Sequence, residues 1–289
     1  MSSIGLVLTL GSAMLHALRD FLIKNSDDKL AFSWLFRVAG LVLLLPAVVT
    51  RPSLAIPPVG WALILASGLV HAAYTFSLAR AYERGDLSLV YPIARSAPVF
   101  VLLWSTLVWR EPMGVYGVGG VMCIIVGAYV VQARGLTLRA LFAPIRNALR
   151  DPSLRMAWVT AVLVATYSLI DDRGVASLDP VFYLFAYGMV GGIALVPLVL
   201  RSRRSSAARE WRPRWRLVLL AAAMSTVGYL LALFAFRIDH VGFVASVRQL
   251  SILFGVLLGW RILREPHGRT RLAGAALMVA GVVLIGFVA

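Results

Sequence analysis

Apolar stretches close to 20 residues long recur along this chain, separated by short polar connectors, and no other feature constrains the fold as tightly. A helix rising 1.5 Å per residue needs about 20 apolar residues to cross a hydrocarbon core about 30 Å thick. Ten stretches qualify, near 4–23, 31–49, 59–80, 87–109, 112–132, 154–170, 180–200, 216–236, 241–262 and 270–288. Membrane β-strands would alternate apolar and polar residues in short segments, and that alternation is absent. Core helices of a large soluble protein are the competing reading. With 60% hydrophobic and 14% charged residues, too little polar surface remains for it. The expectation is an all-α membrane protein with ten transmembrane helices. Residues 4–18 are apolar like a signal peptide, but no basic segment precedes them and further spans follow, so they read as the first helix.

A net charge of +15 would point to nucleic acid in a soluble chain. In a membrane protein, basic residues mark the cytoplasmic connectors instead, so no nucleic-acid partner is expected. Arginines crowd the connectors after spans 5, 7 and 9, among them Arg139, Arg146, Arg203, Arg212, Arg264 and Arg269. The other side holds Arg51, Arg110, Arg173 and Arg237. This count puts both termini outside. Segment 136–150 sets Leu138, Leu141, Phe142, Ile145 and Leu149 among arginines. It reads either as an amphipathic helix on the anionic inner leaflet or as a solvated basic linker. The single Cys123 lies in an apolar span and forms no internal disulfide.

The two halves repeat each other. Arg110-Glu111-Pro112 recurs as Arg264-Glu265-Pro266, an offset of 154, and at that offset Trp61 matches Trp215, Gly114 Gly268, Gly120 Gly274 and Gly127 Gly281. The paired glycines, seven residues apart on one helix face, suit close helix contact in lipid. The unit holds five spans, an odd number, so its second copy enters the membrane from the opposite side. The domains are then residues 1–133, a basic linker 134–153 and residues 154–289, with the two five-helix units inverted. Inverted repeats are an architecture of secondary transporters, with the substrate site near the midplane between the halves.

Several charges fall inside spans, where each costs about 2.5–3.5 kcal/mol at the bilayer centre, so they should face the bundle interior or a water-filled cavity. They are His16, Arg19 and Asp20 in span 1, Arg37 in span 2, His71 in span 3, Arg95 in span 4 and Arg248 in span 9. Arg95 and Arg248 occupy equivalent spans, each about 10–12 Å deep at 1.5 Å per residue, entering from opposite faces. Two guanidinium forks facing one cavity suit a carboxylate, phosphate or phosphonate; neutralising internal acids is the alternative. Pro92 and Pro98 flank Arg95 and should interrupt span 4, whereas span 9 has no proline, which makes the interruption one-sided. Candidate substrate-binding residues are Arg95, Arg248, Tyr91, Gln249, Arg37 and His71. His16 and Asp20, four apart on one helix face, are the candidates for carrying a coupling proton, with an internal salt bridge including Arg19 as the alternative.

These residues resemble a known family. The duplicated unit ending in Glu-Pro and a glycine-spaced span (Glu111 to Gly127, Glu265 to Gly281), Leu15-His16-Ala17 with Lys24, Tyr91-Pro92-Ile93-Ala94-Arg95 and Val247-Arg248-Gln249-Leu250-Ser251-Ile252 are similar to the drug/metabolite transporter superfamily, in its EamA-type, ten-span branch. The chain departs from many relatives where Arg19-Asp20 replaces Trp-Asn and Gln249 replaces an acid. The resemblance implies movement of small metabolites across a bacterial inner (plasma) membrane, often outward and often by proton exchange or facilitated diffusion. It also places both termini of many relatives inside, against the charge count. The expected function is a secondary transporter of a small organic anion or zwitterion, such as an amino acid or organophosphonate, working by alternating access as a monomer or homodimer in the lipid bilayer. It is expected to need no cofactor and no metal. Two other readings stay open: a flippase for lipid or lipid-linked sugar, and a membrane-embedded enzyme using His16, Asp20 and His71.

Overall fold

The computed structural model describes residues 2–50, 56–97, 99–100, 115–132, 150–239, 244 and 247–286. Within them the chain forms ten helices: α1 (Ser3–Lys24), α2 (Lys29–Val49), α3 (Pro58–Arg84), α4 (Leu87–Ala94), α5 (Val115–Gln132), α6 (Pro152–Ser177), α7 (Pro180–Leu200), α8 (Ala207–Ile238), α9 (Ser251–Arg261) and α10 (Gly268–Gly286). Helical hydrogen bonding runs on between α7 and α8, and the backbone leaves helical geometry at Arg214 (φ −121°, ψ 16°), directly after Pro213. Among the described residues, α1, α2, α3, α6, α7 and α8 are long and apolar enough to cross a membrane.

Local chemistry explains the helix starts. Asp28, Asp151 and Asp179 each accept two backbone N–H groups at the first turn of α2, α6 and α7, for example Leu30 N at 3.1 Å and Ala31 N at 3.0 Å. Pro152 and Pro180 follow two of these caps, where a missing N–H costs nothing. Two helices extend beyond the expected spans. Helix α6 starts at Pro152 and runs past 170 to Ser177. The span expected from 216 begins at Ala207. The proposed surface segment 136–149, the first Arg-Glu-Pro and Gly114 lie outside the described residues.

Helices of the N-terminal half pair with those of the C-terminal half. Against α8, α1 brings Leu15 and His16 to Gly228, and Ser2 N donates to Asp239 Oδ1 at 2.8 Å. In α2, Trp34 Nε1 donates to Gly192 O of α7 at 3.1 Å, and Gly40 lies against Thr226 of α8. Gly68 of α3 lies against α7, where a Cβ would sit 2.8 Å from Tyr187 O. Ser77 of α3 meets Thr160 of α6 at 2.9 Å. The α5–α10 seam is closest: a Cβ on Gly127 would sit 2.6 Å from Gly274 O, and one on Gly281 2.5 Å from Gly120 O. Only glycine permits that approach, and it gains dispersion contact that lipid would not provide. Outward-facing side chains such as Val7, Val42, Leu65, Ile193 and Val227 are apolar and exposed, while His16, Arg19, Asp20, His71 and Asp171 are buried. An apolar exterior around a polar interior is the arrangement a bilayer selects.

The helices of the fourth and ninth apolar stretches are interrupted. Helix α4 ends at Ala94, and Arg95 (φ −96°, ψ 5°) follows it, as the flanking prolines lead one to expect. The one-sided expectation does not hold, because Gln249 and Leu250 form a turn ahead of α9. No proline is needed there. Both breaks tighten into three-residue hydrogen bonds, Arg95 N to Pro92 O at 3.2 Å and Ser96 N to Ile93 O at 3.1 Å on one side, Leu250 N to Val247 O at 3.0 Å and Leu253 N to Leu250 O at 3.1 Å on the other. Glu265 pins the start of α4: its carboxylate accepts Leu87 N at 2.7 Å, Ser88 N at 2.8 Å and Ser88 Oγ at 2.5 Å. Arg264 (φ 56°) and His267 (φ 61°) adopt left-handed backbone on either side of it in the turn from α9 to α10. The second Arg-Glu-Pro is thus a capping device.

Candidate functional site

A cavity of about 80 Å³, room for several waters, lies among α1, α2, α3, α6, α7 and α8. His16 and Arg19 reach it from α1, Arg37 from α2, and His71, Tyr74 and Thr75 from α3. Tyr167 of α6, Tyr187 of α7 and Tyr229 of α8 close the far wall. The spacing places these groups together: His16 and Arg19 are three apart, and His71 and Thr75 four apart, each pair on one helical face.

Charge pairing is uneven around this cavity. Arg19 Nε donates to Asp20 Oδ1 at 2.8 Å, and its Nη2 donates to Tyr74 Oη at 3.0 Å. Arg95 Nη2 stands 3.8 Å from the other oxygen of Asp20. Asp171 accepts from His71 Nε2 at 3.0 Å. Arg37 donates to Thr75 Oγ1 at 2.8 Å, its buried Nε has no hydrogen-bond partner, and no carboxylate reaches it among the described residues. Arg248 sits 5.6 Å from the centroid of Tyr229, again with no carboxylate partner among the described residues. Among the described residues Asp20 takes up Arg19 and Arg95, while Arg37 and Arg248 meet no carboxylate.

Of the residues singled out in sequence, His16, Arg37 and His71 line the cavity. Tyr91, Arg95, Arg248 and Gln249 form a layer behind it, at the two helix breaks. The guanidinium of Arg95 lies 5.1 Å from the Tyr91 ring centroid. Two buried polar atoms in this layer, Arg95 Nη2 and Gln249 Oε1, lack hydrogen-bond partners among the described residues. Such atoms cost free energy unless water or a ligand meets them. His16 and Asp20 are not paired: His16 Nδ1 contacts Ser12 O at 3.1 Å, and Asp20 is held by Arg19. Arg19 and Asp20 form an ion pair, and His16 stands outside it. Among the described residues no three His, Cys, Asp or Glu side chains gather as a metal site.

Sequence reasoning missed Asp171 and the tyrosines. Asp171-Asp172-Arg173 reads as the polar end of span 6, but α6 continues through it. Tyr167, four residues earlier on the same face, was the available signal, since tyrosines away from the membrane interfaces want a hydrogen-bond partner.

The profile of the EamA-like transporter family matches residues 3–132 and 153–287. The pseudopaline exporter CntI of Pseudomonas aeruginosa, in strains UCBPP-PA14 and PAO1, is 23% identical over 295 aligned positions, covering 97% of this chain and 95% of the exporter. A solved crystal structure of another protein aligns over 100% of this chain and 98% of that one, with a TM-score of 0.65 at 14% identity, a likeness of fold.

Proposed function

This chain belongs to the EamA-like transporter family and is a multi-pass membrane protein, and from that premise we propose a secondary transporter that moves a small organic anion or zwitterion across the bacterial inner membrane by alternating access. The observation that carries this reading is the pair of buried guanidiniums, Arg37 and Arg248, that meet no carboxylate among the described residues. Holding a charge in the membrane interior without a partner is costly, and a cargo carboxylate, phosphate or phosphonate would complete it. The tyrosine wall adds faces for an ammonium or a planar group. Tyr91, Arg95 and Gln249 form a second layer whose orphaned atoms become available as the two broken helices move. Similarity to the pseudopaline exporter favours outward movement.

Two inverted five-helix units, 1–133 and 154–289 joined by 134–153, are part of the proposal. Its support is reciprocity. Shifting each helix by five maps the α1–α8 pairing onto α3–α6 and returns α2–α7, α4–α9 and α5–α10 to themselves. The glycines behave the same way: Gly127 meets Gly274 and Gly120 meets Gly281, each the 154-residue counterpart of the other's partner. A two-fold relation produces this reciprocity.

The test is a panel of labelled L-glutamate, 2-aminoethylphosphonate, pseudopaline and neutral amino acids in proteoliposomes, with and without a pH gradient. Wild type should move at least one anionic or zwitterionic compound. Arg37→Ala and Arg248→Ala should insert normally and lose at least about tenfold in kcat/KM, equivalent to about 1.4 kcal/mol. Full transport by both variants, or scrambling of a labelled lipid in place of any soluble cargo, overturns the reading.

A further inference from the structure

Asp171, fully buried on α6, has no arginine partner among the described residues. Donors from three other helices converge on it: Ser67 Oγ at 2.5 Å and His71 Nε2 at 3.0 Å from α3, the Tyr183 hydroxyl at 2.9 Å from α7, and the Tyr229 hydroxyl from α8. A carboxylate offers about four acceptor sites, so this shell is full. His71 connects the acid to the cavity. Its ring stacks between Tyr167, at 4.1 Å, and Tyr187, at 4.5 Å, and lines the cavity wall.

We propose that the His71–Asp171 pair is the site at which this protein binds a proton, delivered from bulk solution through cavity water, and that the proton alters the four-donor shell linking α3, α7 and α8 to α6. The inference rests on the transporter reading for its purpose, but its chemistry does not need a cargo. One N–H or O–H bond forms, and the pair passes from a charge of −1 to 0. On the carboxyl group, the proton turns an acceptor into a donor, and a full shell must then release one of its hydrogen bonds. On the imidazole, it turns a neutral contact into an ion pair. Either way, the ties among these helices change strength with one proton.

The surroundings give the change a direction. Arg37 faces His71 from α2 and Arg19 from α1, while Tyr74 and Tyr229 stand edge-on at 6.2 and 5.7 Å. His16 of α1 lines the same cavity, and Arg248 lies over Tyr229. Asp171 is the one carboxylate facing His71 among the described residues. Loading the proton therefore leaves the arginine-lined cavity one unit more positive, and an anionic cargo gains from that.

The full chain in nanodiscs, with no substrate added, is stepped between about pH 5 and 8, the range over which an ordinary histidine changes charge, while an indicator dye counts protons and infrared difference spectra follow carboxyl and imidazole bands. Wild type should show a carboxyl or imidazole band that changes across the step. Asp171→Asn and His71→Gln should each remove it and lower the count by about one proton per chain. Where Asp171→Asn does not fold, Tyr183→Phe keeps both titrating groups, removes one donor and should displace the band. Unchanged counts in both variants, an unmoved band in Tyr183→Phe, or loss of the signal in Asp20→Asn instead would overturn the assignment. Because no cargo is present, failure here leaves the transport reading standing, and failure of the transport panel leaves the proton count intact.

Discussion

Replacing Glu265 with alanine should loosen the first turn of α4 selectively. The carboxylate accepts Leu87 N and Ser88 N at 2.7 and 2.8 Å, and it is buried. Asp86, the residue at the cap position, makes no side-chain cap bond, so no other side chain serves these amides. Hydrogen bonds to a charged acceptor contribute about 1.5–3 kcal/mol each. Losing two costs at least about 3 kcal/mol of local stability, and at 1.4 kcal/mol per factor of ten the amides should exchange with solvent about 150-fold faster. Arg271 keeps Asp86 at 2.8 Å, so the variant strands no buried cation. Hydrogen–deuterium exchange of the full chain in nanodiscs, read on the peptide containing Leu87 and Ser88, measures this directly. Glu265→Gln, which keeps one acceptor oxygen without the charge, should fall in between, and peptides from the middle of α6 should not change. Exchange within about threefold of wild type in Glu265→Ala would refute the capping argument.

Further substitutions have outcomes set by the geometry. Gly127→Ala places a Cβ 2.6 Å from Gly274 O and 2.8 Å from Met278 N, both backbone atoms, whereas Gly119 has open space around it. Thermal denaturation in detergent should show the first variant destabilised by about 1–3 kcal/mol and Gly119→Ala unchanged. Glu210, buried and accepting Asp28 N at 2.6 Å, should cost about 1–3 kcal/mol when replaced by alanine. Asp27→Asn should alter the melting temperature little, because Asp27 meets Arg214 on the exposed surface. Arg37→Lys keeps the charge but loses the fork, so in the proteoliposome assay it should raise KM for a carboxylate cargo while leaving more activity than Arg37→Ala.

The all-α character and the buried arginines were readable because both rest on local composition. The breaks were half readable. Proline announces the first, but the second arises from backbone tightening beside Arg248 and Gln249, which leaves no mark in residue type. Asp171 was hidden for a different reason. Hydropathy treats its neighbourhood as a connector, and only contacts from Ser67, His71, Tyr183 and Tyr229, distant in sequence, turn it into an interior residue. Glu265 shows the same limit: its motif was visible as a repeat, but its partner at the start of α4 was not.

That bond has a consequence for how the chain is made. Glu265 lies 178 residues after Leu87. At synthesis rates of about 5–20 residues per second, the beginning of α4 waits roughly 9–36 s for its acceptor to leave the ribosome. Oil cannot satisfy those amides meanwhile. The first turn of α4 must therefore be held where water reaches it, at the edge of the bilayer. The finished contact is a late event, formed only once Glu265 has been made.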